Sequence, residues 1–254
     1  MINSHIQMPK VLLKRFHNEN SRFYYYDVQK HVVGNNGRAK SINTQLGYYS
    51  QQAEDYFRDN IETPFGEVLT YIEKTGIDRE TFTISSSAKE IIKNFMFALI
   101  SRGPSFSDQM NEEEDFWQAF PAQFQHDFIA KTGIRIAQEN DLFSEYIVTF
   151  MLNKTAIPFV LSMDGIYNYT LNGHAVINLP IFPHVTVSLI HESYSSRVIR
   201  DDNSISMFEL TRANDIMLMN GQAFSTQLKR KWGYVVCPER DELSRLVGMY
   251  CKDN

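Results

Sequence analysis

Between positions 22 and 28 the chain reads RFYYYDV, in which Phe23, Tyr25 and Asp27 alternate with Tyr24, Tyr26 and Val28. β-Favouring residues dominate the run, so it predicts a strand with an aromatic face. The following GNNGRAKS, rich in glycine and asparagine, predicts a loop. From Ser50 the spacing changes to three and four. Apolar Tyr56, Phe57, Ile61, Phe65, Val68, Leu69 and Ile72 predict a helix running to about Asn60, a break at Pro64, and a helix end at Gly76. Ser87 with Glu90 forms a capping-box signature ahead of IIKNFMFALI, and Gly103-Pro104 stops that helix. Asn111 with Glu114 repeats the signature before DFWQAF, and Pro121 separates that helix from PAQFQHDFIAKTG. ENDLFSEYIVTFMLNK places Leu142, Tyr146, Thr149 and Phe150 on one helical side and is read as another helix.

Beyond Pro158 the pattern shortens. PFVLSM, IYNYTL, AVINLP and VTVSLI are β-branched or aromatic runs divided by Asp164-Gly165, Asn172-Gly173 and Pro183, which predicts a small antiparallel meander. A polar stretch, SSRVIRDDNS, leads into a last long helix from about Thr211 to Lys231, whose terminal Lys229, Arg230 and Lys231 complement the helix dipole. The expected class is α+β: an N-terminal strand, a helical middle, a C-terminal small antiparallel sheet and a long terminal helix. The 254 residues are expected to form a single compact domain, with room for two lobes, 1–155 mostly helical and 156–254 sheet plus helix.

Composition narrows the function classes. A net charge of -5 with 22% charged residues argues against a strongly basic nucleic-acid surface, while local basic patches stay open. No apolar run approaches the roughly 20 residues of a membrane-spanning helix. Cys237 and Cys251 are the cysteines, and no secretory pattern opens the chain, so a cytoplasmic setting without a membrane partner is expected. Phosphate loops, G-x-G-x-x-G, G-x-S-x-G, H-E-x-x-H and C-x-x-C are absent, which removes the readily recognised ATPases, serine hydrolases and zinc enzymes.

A series of ordered landmarks carries a resemblance: Pro9, Leu13 and Phe16; the aromatic strand Tyr24 to Asp27; Glu54 and Glu62; ALISRGPSF from Ala98; PFVLSMDG from Pro158; LPIFP from Leu179; and Asn220 in the last helix. The chain resembles the bacterial domain of unknown function 4238 over nearly its whole length. Two positions depart from that family's pattern. Ile6 stands where members place a histidine three residues before the proline, with His5 one step earlier. Ser162, Met163, Asp164 and Gly165 replace a Ser-Asp-Asn-Pro stretch. The resemblance implies a shared fold and polar constellation among bacterial or mobile-element accessory proteins, without a reaction.

The candidate site residues follow. His5 titrates near neutrality and could serve as general acid or base; its rival role is an exposed terminal residue. Glu54 and Glu62, eight apart, would differ by about 80° on a continuous helix, close enough to share a proton or bind a divalent metal. Their rival role is a solvated acidic face. Asp164 ends an apolar strand, where it could face a cleft or cap its own turn. Asn220 is an amide among apolar neighbours that needs partners. Arg102 could clamp a phosphate or bind the last helix carbonyls. His31, His126 and His174 have no supporting context, and His184 and His191 point to opposite strand faces. The expectation is a nuclease-like hydrolase effector of toxin or phage-defence type acting on nucleic acid, with His5, Glu62, Asp164 and Asn220 catalytic, Arg102 binding substrate, and Glu54 and Glu62 holding any metal. The alternatives are a non-catalytic module sensing a phage or host component, and a small-nucleotide hydrolase.

Overall fold

The computed structural model describes residues 3–5, 8–39, 42, 44–76, 83–103, 120–139, 143–171, 173–193 and 207–251. The strands are β1 (Asn3–His5), β2 (Phe23–Asp27), β3 (Val32–Gly37), β4 (Thr44–Leu46), β5 (Tyr146–Asn153), β6 (Leu161–Ser162), β7 (Tyr167–Leu171), β8 (His174–Phe182), β9 (Val185–His191), β10 (Met207–Leu210) and β11 (Tyr234–Cys237). The helices are α1 (Lys10–Leu13), α2 (Gln51–Phe57), α3 (Thr63–Thr75), α4 (Ser86–Ser101), α5 (Ala122–Glu139), α6 (Ala213–Arg230) and α7 (Arg240–Tyr250), with a π-helical turn, Arg58–Glu62, joining α2 to α3. The class is α+β. No helix among the described residues is long and apolar enough to cross a membrane. The Asn111 and Glu114 capping pattern, DFWQA of the DFWQAF run and SSRVIRDDNS lie outside the described residues.

Two compact units interleave along the chain. The first comprises Met1–Pro9, Thr44–Val148 and His191–Ile205. In it α3 and α5 pack on α4, and their buried faces are Phe65, Val68, Leu69 and Ile72 on α3, Ile92, Phe95, Met96 and Leu99 on α4, and Ile129, Ala130 and Ile134 on α5. The α3 and α4 sets recur at three- and four-residue spacing and Ala130 and Ile134 lie four apart, which turns one stripe of each helix inward. Phe65 and Phe95 stack with centroids 3.6 Å apart. Helix α4 begins two residues earlier than its glutamate pattern suggests: the N-cap is Ser85, whose hydroxyl accepts from the Ala88 amide at 3.2 Å and lies 2.8 Å from the Ser87 hydroxyl.

The second unit comprises Lys10–Asn43, Thr149–Ile190 and Ser206–Asn254. Its five-stranded sheet runs β10-β5-β9-β8-β7, and its four-stranded sheet runs β3-β2-β11-β6. The expected hairpin is present, with Leu171 opposite His174 and Gly173 at φ 87°, and β8 pairs on with β9 as a meander. The remaining strands of that sheet correct the sequence reading. Tyr146–Asn153 is strand β5, not helix, and β10 joins it in parallel. Val148, Thr149 and Phe150 are buried in succession, so β5 shows no two-residue alternation and its apolar spacing imitates a helix.

GNNG is likewise strand, not loop. Gly37 sits opposite Phe23, and Gly34 opposite Tyr25, with a bulge between the pairs. The aromatic rings of β2 occupy the space that side chains at these glycines would need. A Cβ on Gly37 would fall 2.2 Å from Phe23 Cε2, and Phe23 is fully buried. Gly37→Ala is therefore expected to destabilise the chain by about 1–3 kcal/mol through overpacking, measured by urea unfolding. Beyond the long helix α6, the chain continues through β11 and α7, two elements the pattern reading did not foresee. β11 is a central strand, pairing β2 on one side and β6 on the other. Val235, Cys237, Leu243 and Leu246 complete a core with Tyr26, Phe159, Ile216 and Phe224.

Candidate functional site: a buried arginine and two carboxylates

Within the first unit the site is built around the α2–α3 junction. Pro64 carries no amide hydrogen and cannot donate to the Asn60 carbonyl, so a regular helix cannot continue across it. The chain responds with a wider turn, in which the Thr63 amide bonds back to the Arg58 carbonyl. The break thus lies at 58–62, just ahead of the expected kink at Pro64. A π-turn inserts one extra residue into the helical count, so the eight residues from Glu54 to Glu62 advance as seven would. Their directions then differ by about 20° rather than about 80°. Both carboxylates consequently act on the same group, the Arg102 guanidinium.

Arg102 caps the C-terminus of α4, its amide bonding to the Ala98 carbonyl at 3.1 Å. The residue is 4% exposed. Its Nη1 donates to Glu62 Oε1 at 3.0 Å, and its Cζ stands 4.6 Å from the Phe57 ring centroid and 5.2 Å from that of Tyr49. Burial works against the charge, but Tyr49, Glu62 and Glu54 outweigh it, holding the guanidinium above its ordinary pKa. Burial raises the Tyr49 phenol, opposed by Arg102. A permanent cation is thus flanked by two rings and paired with Glu62, with the charge of Glu54 acting on it as well.

Helix α5 fixes the segment that carries Tyr49. Gln123 Nε2 donates to the Gly47 and Tyr49 carbonyls, each at 3.0 Å, and Asp127 Oδ1 accepts the Ser50 amide at 3.0 Å. Ser50 itself N-caps α2, accepting from the Ala53 amide at 3.2 Å. His126, which has no context in the sequence, stacks on Tyr48 at 3.8 Å and bonds through Nδ1 to the Tyr48 carbonyl at 3.1 Å. Burial lowers the His126 pKa below 6.5, so its neutral form favours the fold. That contribution is present above pH 6.5 and is lost as pH falls through the lowered value. Stability measured from about pH 7 down to about pH 5 is expected to decline more steeply in the native chain than in His126→Gln.

The contacts of Arg102 with Glu62, Phe57 and Tyr49 involve none of the other candidates. His5 is on β1, in register with Thr44 of β4, and its side chain is outside the described set. Asp164 and Asn220 belong to the second unit. Asp164 follows β6 at a turn completed by Gly165 at φ 70°. Its Oδ2 accepts from Gln227 Nε2 at 2.8 Å, and Oδ1 is ion-paired with Arg230. Burial pushes the Asp164 carboxyl up, against the opposing pull of Arg230 and Gln227. Asn220 is fully buried; its Oδ1 accepts from the Val160 amide and its Nδ2 donates to the Pro158 carbonyl, both at 3.0 Å. The amide ties α6 to the strand entry ahead of β6. Gln227 and Arg230 as partners of Asp164, and Tyr49 as a wall of the arginine site, were not found from sequence. Their signal is tertiary, since 63 and 66 residues separate Asp164 from its partners.

A family model described as Protein of unknown function (DUF4238) matches residues 7–193. The chain belongs to the DUF4238 family. No curated protein and no solved structure matches it. In this DUF4238 chain, among the described residues, no group of three or more His, Cys, Asp or Glu side chains is gathered as a metal ion requires. At Glu54 and Glu62 the positive charge is that of the Arg102 guanidinium, ion-paired with Glu62 and acted on by Glu54.

Proposed function

We propose that this DUF4238 chain is a hydrolase of effector type, toxin or phage-defence, that cleaves nucleic acid in the cytoplasm. The observation that supports it is the π-turn that directs Glu54 and Glu62 at one buried guanidinium. Glu62, 21% exposed on its side chain, keeps contact with water while Arg102 fixes its orientation. A carboxylate so held can orient an attacking water and accept its proton, with Glu54 a second carboxylate acting on the same guanidinium. Arg102 is a positioning residue in this scheme, because a buried side chain facing Glu62 presents little surface to a phosphate.

Purified protein is incubated with labelled RNA, labelled DNA and nucleoside triphosphates, with and without magnesium. Cleavage that disappears in Glu62→Gln and Glu54→Gln, and falls mainly in kcat for Arg102→Lys, is the expected result. Cleavage that survives both carboxylate variants overturns the reading, and nucleotide loss without polymer cleavage makes the chain a small-nucleotide hydrolase. A second reading, a non-catalytic module that recognises a phage or host component, is favoured by Arg102 and Asn220 engaging their polar groups within the chain. Retention of polymer without turnover in the same assay would select it.

A further inference from the structure

Within the second unit Ser21, His31 and Lys231 carry side chains in the left-handed region, the last two both at φ 54°. Such a backbone is disfavoured for residues with a Cβ and is held only where the surroundings demand it. His31 closes the turn from β2 to β3, and Lys231 caps α6, its amide bonding to the Gln227 and Leu228 carbonyls. Both line one cavity of about 420 Å³, whose other described walls are Val28, Gln29 and Leu228. That size lies in the range of about 300–1,000 Å³ typical of small-molecule sites. Val28 is buried and Leu228 partly so, giving an apolar floor under a polar rim.

The rim is cationic. Asp27, the carboxylate on the same turn, is engaged by Lys30, whose Nζ lies 3.2 Å from Oδ2 and whose amide donates to Oδ1 at 3.0 Å. Asp164 is likewise occupied by Arg230. The C-terminal dipole of α6 contributes about half a negative charge, which the full charge of Lys231 outweighs. The His31 ring is oriented from behind: Tyr26 Oη lies 3.2 Å from Nδ1. Tyr26 is buried, so this contact ties the ring to the core through Nδ1. With Nδ1 engaged by Tyr26, Nε2 is the ring nitrogen left to meet a ligand.

The geometry points to a binding site for a small phosphorylated molecule, its phosphate held by Lys231 Nζ and His31 Nε2 and its apolar part resting on Val28 and Leu228. A phosphate presents oxygens to two donors arriving from separate turns, and the apolar floor rewards a ligand larger than the ion itself.

The test is calorimetric titration of the full chain with phenyl phosphate, inorganic phosphate and acetate. Lys231→Gly and His31→Asn serve as variants because glycine and asparagine tolerate the left-handed backbone while removing the donor. Saturable 1:1 binding of phenyl phosphate is expected, tighter than inorganic phosphate, and weakened about tenfold in each variant. Equal affinity in native and variant chains, absence of saturable binding to phenyl phosphate, or a preference for acetate would overturn the assignment. Circular dichroism of the variants shows that the fold is retained.

Discussion

Glu62→Ala lowers the stability of the chain by about 3 kcal/mol, because it leaves the Arg102 guanidinium buried with less of its compensating charge. At about 2–4 °C per kcal/mol for a chain of this size, the melting temperature falls by roughly 6–12 °C. Glu54 remains to offset part of the charge, which keeps the cost near the lower end of what a broken buried pair shows. The double variant Glu62→Leu with Arg102→Met restores most of the loss, since apolar groups of similar volume need no partner and extend the contact with Phe57 and Tyr49. A loss below about 1 kcal/mol in Glu62→Ala would mean that water reaches the guanidinium, and the enclosed centre would have to be abandoned. The thermodynamic cycle also separates structure from chemistry. If the double variant refolds to native stability yet cleaves nothing, the carboxylates serve catalysis and not merely the fold.

Asn220→Ala carries a comparable penalty for a different reason. Truncation strands the Val160 amide and the Pro158 carbonyl, two buried backbone groups that Asn220 satisfies. At about 1–3 kcal/mol for each unsatisfied group, the expected loss in urea denaturation is roughly 2–6 kcal/mol. Asn220→Asp sharpens the test. An ionised carboxylate can accept from Val160 but cannot donate to Pro158, whereas the protonated acid can do both. The aspartate variant should therefore regain stability as pH is lowered toward the range in which its carboxyl protonates, while the alanine variant should not. Equal behaviour of the two would show that the tie is not what holds α6 to this segment.

Much of the fold is legible from local chemistry. The helical spacing of Phe65, Val68, Leu69 and Ile72, the aromatic run of β2, the Gly173 turn and the extent of α6 follow from periodicity and breakers, signals confined to a few neighbouring residues. The errors arise where a distant neighbour changes the meaning of a local pattern. Glycines 34 and 37 read as loop until the rings of Tyr25 and Phe23 are laid over them. Val148, Thr149 and Phe150 read as helix because a strand covered on both faces loses its alternation. Of the candidate residues, Glu62 and Arg102 are both visible in sequence, yet 40 positions separate them and no spacing rule pairs them.

Sequence alone determined the secondary elements whose stability is local, the family, and the choice of Glu54, Glu62, Arg102, Asp164 and Asn220 as polar residues to test. Tertiary structure decided what each of them touches. Pro64 forbids a regular turn wherever it stands, but only the packing of α4 beside the π-turn converts that local rule into two carboxylates facing one arginine. The physical reason is that a missing amide hydrogen acts within one turn of helix, whereas the charge, burial and hydrogen bonding of a side chain depend on groups brought near by chain closure over tens of residues.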